Sequence, residues 1–103
     1  MKILAVTACP SGVAHTYMAA EAISAAAEKA HVECKVETQG SIGIENVIGE
    51  QDLIGADAVL LTTDMPIKNE ERFEGLPKVR LKANQYIKGA DAIIAKLKDK
   101  LGK

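Results

Sequence analysis

Two short apolar runs limit this chain to a few architectures. Residues 2–7 read KILAVT and residues 57–63 read DAVLLTT, so each run is apolar at nearly every position. A strand with one face in solvent alternates apolar and polar residues, whereas a strand buried on both faces is apolar throughout. The two runs therefore predict two central strands of a sheet that is covered on both sides.

Two other segments do alternate and are predicted as outer strands. Residues 31–38 (HVECKVET) and 78–82 (KVRLK) place apolar and polar side chains in turn, which is typical of a strand with one face toward solvent. Cys34 falls on the apolar side of the first of these segments, so we interpret it as a small core residue. We expect both segments at the edges of the sheet.

Helical patterns separate the predicted strands. Residues 14–30 are rich in alanine, which has the highest helix propensity, and residues 84–101 place apolar side chains on one helix face. Shorter helical turns are predicted at residues 50–54 and 69–75. Alternating strands and helices predict an α/β fold with right-handed crossovers. We expect a small doubly wound, four-stranded parallel sheet of strand order 2-1-3-4, with helices on both faces.

Composition narrows the function. The 103 residues, 48% of them hydrophobic, suffice for one core, so we take residues 1–103 as a single domain. A net charge of −1 and 3% aromatic residues disfavour nucleic-acid binding. No apolar stretch reaches the roughly 20 residues of a membrane helix, so we expect no direct membrane insertion. The apolar region before Cys9 is shorter than the about 7–15 residues of a signal peptide, and we expect a cytoplasmic protein.

The loop after the first strand, TACPSGVAHT at residues 7–16, lies where this architecture binds ligands. Doubly wound sheets bind them beyond the carboxyl ends of the strands, at the point where the winding direction reverses. Backbone amides between Gly12 and His15 precede or begin a helix, and Ser11 and Thr16 add hydroxyls. Free amides and the helix dipole favour an anion, and they also favour the thiolate of Cys9. A thiolate beside an anion site can accept a phosphoryl group.

Other interpretations of this loop stay open on the residues alone. A tyrosine phosphatase loop has an arginine six residues after its cysteine, and this chain has His15 there. A thioredoxin-type site needs a second cysteine where Gly12 stands. Zinc could use Cys9, His15, His31 and Cys34, but the paired spacings of zinc sites are absent. A purely structural Cys9, with His15 as an ordinary helix residue, fits the pattern as well as catalysis does.

The chain resembles a known family in three stretches. ACPSGVAHTYMAAEAI, residues 8–23, resembles the phosphocysteine loop and first helix of the fructose-type enzyme IIB components of the bacterial sugar phosphotransferase system. KVETQGSIGIEN, residues 35–46, resembles the segment that follows the second strand in that family, and ERFEG, residues 71–75, resembles another family stretch. Residues 38–46 leave the carboxyl end of the second predicted strand. We therefore expect this connection to border the same edge as the Cys9 loop.

The resemblance implies a phosphoryl carrier without metal or diffusible cofactor. In that family a phosphohistidine of enzyme IIA donates its phosphoryl group to the IIB cysteine. The cysteine passes it to a sugar, fructose or a related hexose, bound in the membrane component enzyme IIC. Carried over residue by residue, Cys9 is the phosphorylated nucleophile. The phosphate-binding loop is then Pro10, Ser11, Gly12, Val13, Ala14, His15 and Thr16. The chain is expected to reach the membrane only through enzyme IIC.

Two other functions remain as alternatives to the phosphoryl carrier. A low-molecular-weight phosphatase relative is disfavoured by the missing arginine. A regulatory module that has lost transfer is disfavoured by the intact Cys9 loop. Residues 47–57 and 62–69 depart from the commoner family pattern, which bears on the partner or the sugar and leaves the chemistry unchanged.

Overall fold

The predicted strands and helices are found within two residues of their expected positions. The computed structural model describes residues 2–8, 13–40, 43–63 and 66–101, with the backbone alone at residues 13–15, 40 and 101. Along these residues the elements are β1 (Lys2–Thr7), α1 (Val13–Lys29), β2 (Glu33–Gly40), β3 (Gly43–Glu45), α2 (Glu50–Leu53), β4 (Ala58–Thr62), a 3₁₀ turn (Glu70–Phe73), β5 (Lys78–Leu81) and α3 (Ala83–Leu101). The strand and helix patterns therefore located every one of these elements except β3.

The sheet has five strands in the order β3-β2-β1-β4-β5. Its four parallel members follow the predicted order 2-1-3-4. The prediction of a four-stranded, wholly parallel sheet was wrong at one edge, where β3 pairs antiparallel with β2. All three residues of β3 are exposed, so no buried face gave the sequence an alternating pattern. Gly43, the first residue of β3, has a φ of +116°, which is favourable only for glycine.

The two long helices cover one face of the sheet. α1 and α3 pack against each other and against the strands, and their shared core is built mainly of apolar side chains, with the hydroxyl of Tyr86 bonded to the carbonyl oxygen of Leu61. Three alanines of α1, namely Ala19, Ala26 and Ala27, are buried in this cluster. Their small side chains let the helix axis approach the sheet closely, as the composition of residues 14–30 predicted.

The other face is covered by the connections that contain α2 and the 3₁₀ turn. A second apolar cluster there joins the sheet to these connections through Leu4, Val6, Ile48, Val59, Leu61 and Phe73. The central strands are buried on both sides, since β1 is inaccessible from Ile3 to Thr7 and β4 is buried throughout. This confirms the interpretation of the two apolar runs.

Candidate functional site

Three buried threonines lie toward the carboxyl ends of β1, β2 and β4. Thr7 and Thr38 stand opposite each other in the register of β1 and β2, and Thr62 is the last residue of β4. The hydroxyl of Thr62 accepts a hydrogen bond from the N–H of Ala8 at 2.9 Å and donates one to its carbonyl oxygen at 2.9 Å. Ala8 directly precedes Cys9 in the sequence, so β4 fixes the backbone that enters the Cys9 loop.

The chain that leaves the loop is also fixed to the sheet. The Thr7 hydroxyl donates a hydrogen bond to the carbonyl oxygen of Thr16 at 3.1 Å, which ties the end of β1 to the first turn of α1. The side chain of Thr16 is buried, and neither its hydroxyl nor that of Thr38 has a partner among the described residues. Both ends of the loop are therefore anchored by buried polar contacts.

The remaining predicted loop residues divide into two groups. Cys9, Pro10, Ser11 and Gly12 lie outside the residues that the structure describes. Val13, Ala14 and His15 begin α1, one residue earlier than predicted, and their backbone alone is described. The first turn of α1 carries no acidic residue, so no carboxylate opposes an anion at this helix start.

Cys34 occupies the place that the alternation of β2 predicted. Its half-buried side chain packs against the core between α1 and the sheet. Burial raises the pKa of the Cys34 thiol to about 11. At neutral pH this side chain is therefore a protonated thiol, which is a poor nucleophile.

The polar side of β2 is not the solvent-exposed face that the sequence suggested. Glu37 is completely buried, and its carboxylate accepts hydrogen bonds from both terminal nitrogens of Arg72 at 2.8 and 2.5 Å. The N–H of Ile48 donates to the same carboxylate at 2.8 Å. Burial alone would raise the pKa of Glu37. The hydrogen bonds from Arg72, Gln39 and Ile48 outweigh burial and hold that pKa below its ordinary value.

Gln39 extends this buried group to the next connection. Its side-chain amide donates to the Glu37 carboxylate at 2.7 Å and to the carbonyl oxygen of Lys68 at 3.0 Å. Its side-chain oxygen accepts a hydrogen bond from the Lys68 N–H at 2.8 Å. We call Glu37, Gln39 and Arg72 the buried polar cluster. Sequence reasoning missed it, because nothing in one sequence pairs a strand glutamate with an arginine 35 residues later.

Two further polar contacts join β2 and β3 to neighbouring helices. Lys35, two residues before Glu37, forms an ion pair of 2.8 Å with Asp52 in α2. The hydroxyl of Tyr17 in α1 donates a hydrogen bond to the carboxylate of Glu45 at the end of β3. β3 is thus joined to the helix that follows the Cys9 loop, and the described residues of the segment, 38–40 and 43–46, border the carboxyl edge as predicted.

This fold and this sequence match one family over almost their whole length. A family model described as the PTS system, Lactose/Cellobiose specific IIB subunit, matches residues 4–96. The chain belongs to the PTS IIB family. IIB components are phosphotransferases of the sugar phosphotransferase system, so the resemblance found in the three sequence stretches is confirmed at the level of the family.

Relatives of this IIB chain carry more specific names. The Escherichia coli (strain K12) protein called PTS system fructose-like EIIB component 2 is 58% identical over 96 residues, which are 93% of this chain and 91% of that protein. The PTS system 2-O-alpha-mannosyl-D-glycerate-specific EIIABC component of the same organism is 42% identical over 92 residues. That match covers 89% of this chain and 14% of the longer protein.

A solved structure has the same fold. The solution structure of an Enzyme IIB subunit of the PTS system from Escherichia coli K12 superposes with a TM-score of 0.91 at 37% identity, covering 98% of this chain and 94% of that one. The IIB fold therefore accounts for the arrangement of the sheet and the two long helices. Among the helices described for this chain, none is long and apolar enough to cross a membrane.

Proposed function

We propose that this IIB chain carries a phosphoryl group on Cys9 between two partners. It accepts the group from a phosphohistidine of enzyme IIA and passes it to a sugar, fructose or a related hexose, bound in membrane enzyme IIC. The observation that carries the proposal is the anchored backbone of Ala8, which presents the next residue, Cys9, beyond the carboxyl end of β1. β1 lies between β2 and β4, so this is the point where the chain reverses its winding direction.

The chemistry follows from in-line phosphoryl transfer. The Cys9 thiolate forms a sulfur–phosphorus bond as the phosphorus–nitrogen bond to the donor imidazole breaks, and the imidazole takes up a proton. A sugar hydroxyl then attacks the phosphorus, the sulfur–phosphorus bond breaks, and the thiolate is restored as the hydroxyl loses its proton. Charge on the equatorial oxygens is stabilised by fixed donors, and we propose that the first backbone amides of α1 act as such donors. These steps need no metal or cofactor.

The second cysteine supports this assignment by contrast. With a thiol pKa raised to about 11 by burial, Cys34 carries little thiolate at neutral pH. It also packs partly against the core between α1 and the sheet. Of the two cysteines, only Cys9 follows an anchored strand end at the open edge of the sheet.

The names of the relatives support the two partners and leave the sugar as a proposal. One relative is called an EIIABC component, which joins A, B and C parts in one protein. The sugars in the three names differ, since they are fructose-like, mannosylglycerate and lactose or cellobiose. We propose a fructose-type substrate because the fructose-like relative is 58% identical over nearly its full length. We further propose residues 1–103 as one IIB domain, acting in the cytoplasm and reaching the membrane through enzyme IIC.

Intact-mass measurement after incubation with phosphorylated enzyme IIA tests the assignment. The wild-type chain and a Cys34→Ala variant should each gain one phosphoryl group, whereas Cys9→Ser should gain none, because a neutral alcohol lacks the nucleophilicity of a thiolate. His15→Ala should be phosphorylated more slowly. Circular dichroism checks that each variant is folded. A phosphorylated Cys9→Ser together with an unmodified His15→Ala would make histidine the acceptor. Release of free phosphate without an adduct would indicate a phosphatase.

A further inference from the structure

The buried polar cluster joins two of the three sequence stretches that resemble the family. The proposed chemistry at Cys9 uses no residue of these two stretches. Glu37 and Gln39 belong to residues 35–46, and Arg72 belongs to residues 71–75. Glu37 stands opposite Val6 in the register, and the next residue stands opposite Thr7. The cluster therefore lies level with the last residues of β1, directly before the chain enters the Cys9 loop.

A buried ion pair at this place is not explained by stability. Removing two charges from water costs about as much as their attraction returns, and a well-packed apolar pair is often equally stable or better. What the Glu37–Arg72 pair adds is geometry, because a planar guanidinium bound through two nitrogens fixes both distance and orientation. Gln39 fixes a second point, since it holds both the N–H and the carbonyl oxygen of Lys68.

We propose that Glu37, Gln39 and Arg72 are positioning residues for docking of the phosphohistidine-bearing donor protein. They fix the connection after β4, at residues 68–72, against the end of β2, at the edge of the sheet from which β1 leads into the Cys9 loop. The inference rests on the proposed function and extends it to recognition of the donor. A donor that brings a phosphohistidine to Cys9 must fit over this edge.

The cluster acts on docking, and the reacting loop is held by other contacts. Thr62 and Thr7 fix the two ends of the Cys9 loop through β4 and α1, and neither residue contacts the cluster in the hydrogen bonds described. Loss of the cluster therefore shifts the surface that the donor meets and leaves the nucleophile in place. In kinetic terms, such a loss raises the half-saturating donor concentration and spares the maximal rate.

The chain offers a matched control for this test. Lys35 and Asp52 also form an ion pair that joins β2 to a connection, in this case through α2. Lys35 is level with Leu4, however, and so lies farther from the carboxyl edge of the sheet. The test compares a Glu37→Met/Arg72→Met double variant with a Lys35→Met/Asp52→Met double variant. Initial rates of Cys9 phosphorylation are measured against the concentration of phosphorylated enzyme IIA.

We expect the Glu37→Met/Arg72→Met variant to need about tenfold more donor for half-maximal rate, with a maximal rate within about twofold of wild type. Its rate of Cys9 alkylation should match that of wild type, which shows that the loop is intact. The Lys35→Met/Asp52→Met variant should keep both kinetic parameters. Arg72→Lys, which keeps the charge and loses the two-nitrogen contact, should give a smaller rise in the half-saturating concentration.

Two results separate failure of this inference from failure of the proposed function. If wild type is phosphorylated and a folded Glu37→Met/Arg72→Met variant keeps the wild-type half-saturating concentration, the positioning role is wrong and the carrier function stands. A lower maximal rate at unchanged half-saturating concentration would also overturn it. If wild type accepts no phosphoryl group, both are wrong. Should the double variant not fold, Arg72→Lys and Gln39→Leu are measured in the same way and decide the question.

Discussion

The two faces of the sheet are covered by different means. On one face α1 and α3 satisfy most of their own backbone hydrogen bonds, so apolar packing holds them on the strands with a few side-chain contacts, such as those from Thr7 to α1 and from Tyr86 to β4. On the other face residues 46–57 and 66–77 contain only the four residues of α2 and the four of the 3₁₀ turn as regular structure. Much of their backbone needs partners from elsewhere, because a buried N–H or carbonyl group without one is costly.

Side chains of β2 supply several of those partners. Glu37 accepts from the Ile48 N–H, and Gln39 holds both backbone groups of Lys68. Arg72, within the connection itself, donates to the carbonyl oxygen of Ile48 at 2.9 Å. The comparison teaches that the helical face is held mainly by apolar packing, whereas the irregular face depends to a larger extent on side chains that bind the backbone of its connections. The irregular face borders the proposed site, where the position of segments matters most.

The largest expected effect comes from removing one member of the ion pair. Arg72→Ala leaves the Glu37 carboxylate buried without its two strongest donors, and we expect the free energy of unfolding at pH 7 to fall by about 3–5 kcal/mol. Urea unfolding followed by circular dichroism measures this loss. The Glu37→Met/Arg72→Met double variant is the control, because it removes both charges together and should lose less stability than Arg72→Ala, its remaining loss coming from the Ile48 backbone groups that the two side chains bind.

The pH dependence of that loss identifies its cause. The pKa of Glu37 is lowered in the folded chain, so the stabilisation from its ionised form is complete above the unfolded pKa of about 4.3 and is lost as pH falls through the folded pKa. The difference between wild type and Arg72→Ala should therefore narrow as the pH is lowered below about 4. A difference that stays constant over this range would assign the loss to packing.

A smaller effect is expected from a cavity on the helical face. Ile94 is fully buried between α3 and the sheet, so Ile94→Ala should lower the free energy of unfolding by about 3 kcal/mol. Ile94→Leu conserves volume and should cost less than about 1.5 kcal/mol. Because no ionisable group is involved, the loss should be the same at pH 7 and in mild acid. A cost below about 1 kcal/mol would mean that α3 contributes little to the core.

The same contrast explains what the sequence could and could not predict. Helical and strand periodicities follow from burial of apolar side chains, so the sequence located α1, α3 and the four parallel strands. β3 has no buried face and therefore left no pattern. Glu37 is polar in the sequence and buried in the structure, because its partner Arg72 lies on a different element. Such pairings depend on the tertiary arrangement. Cys9 was predicted as the phosphoryl acceptor from loop chemistry and family resemblance, and residues 9–12 lie outside the described part of the chain, so this stays a prediction.

The smallest effect on stability is expected from replacing Cys34. The largest difference in chemical reactivity is expected between Cys34 and Cys9. Cys34→Ala should change the free energy of unfolding by no more than about 1 kcal/mol, since a half-buried thiol contributes little packing. Its reactivity is measured in the Cys9→Ser variant, where it is the only thiol, as the rate of iodoacetamide alkylation against pH. Burial raises the Cys34 pKa to about 11, so the rate should rise with a midpoint there.

The same experiment on Cys34→Ala reports Cys9 alone. We expect an apparent pKa below the value of about 8.5 of a free thiol, because free amides and the start of α1 favour the thiolate. At pH 8 a smaller fraction of Cys34 than of Cys9 is thiolate. Cys34 should therefore react more slowly than Cys9 by roughly two orders of magnitude or more. In urea both thiols should react like a free cysteine, which attributes the difference to the fold. Equal alkylation rates of Cys34 and Cys9 in the folded chain would contradict both expectations, namely that burial suppresses the Cys34 thiolate and that the start of α1 favours the Cys9 thiolate.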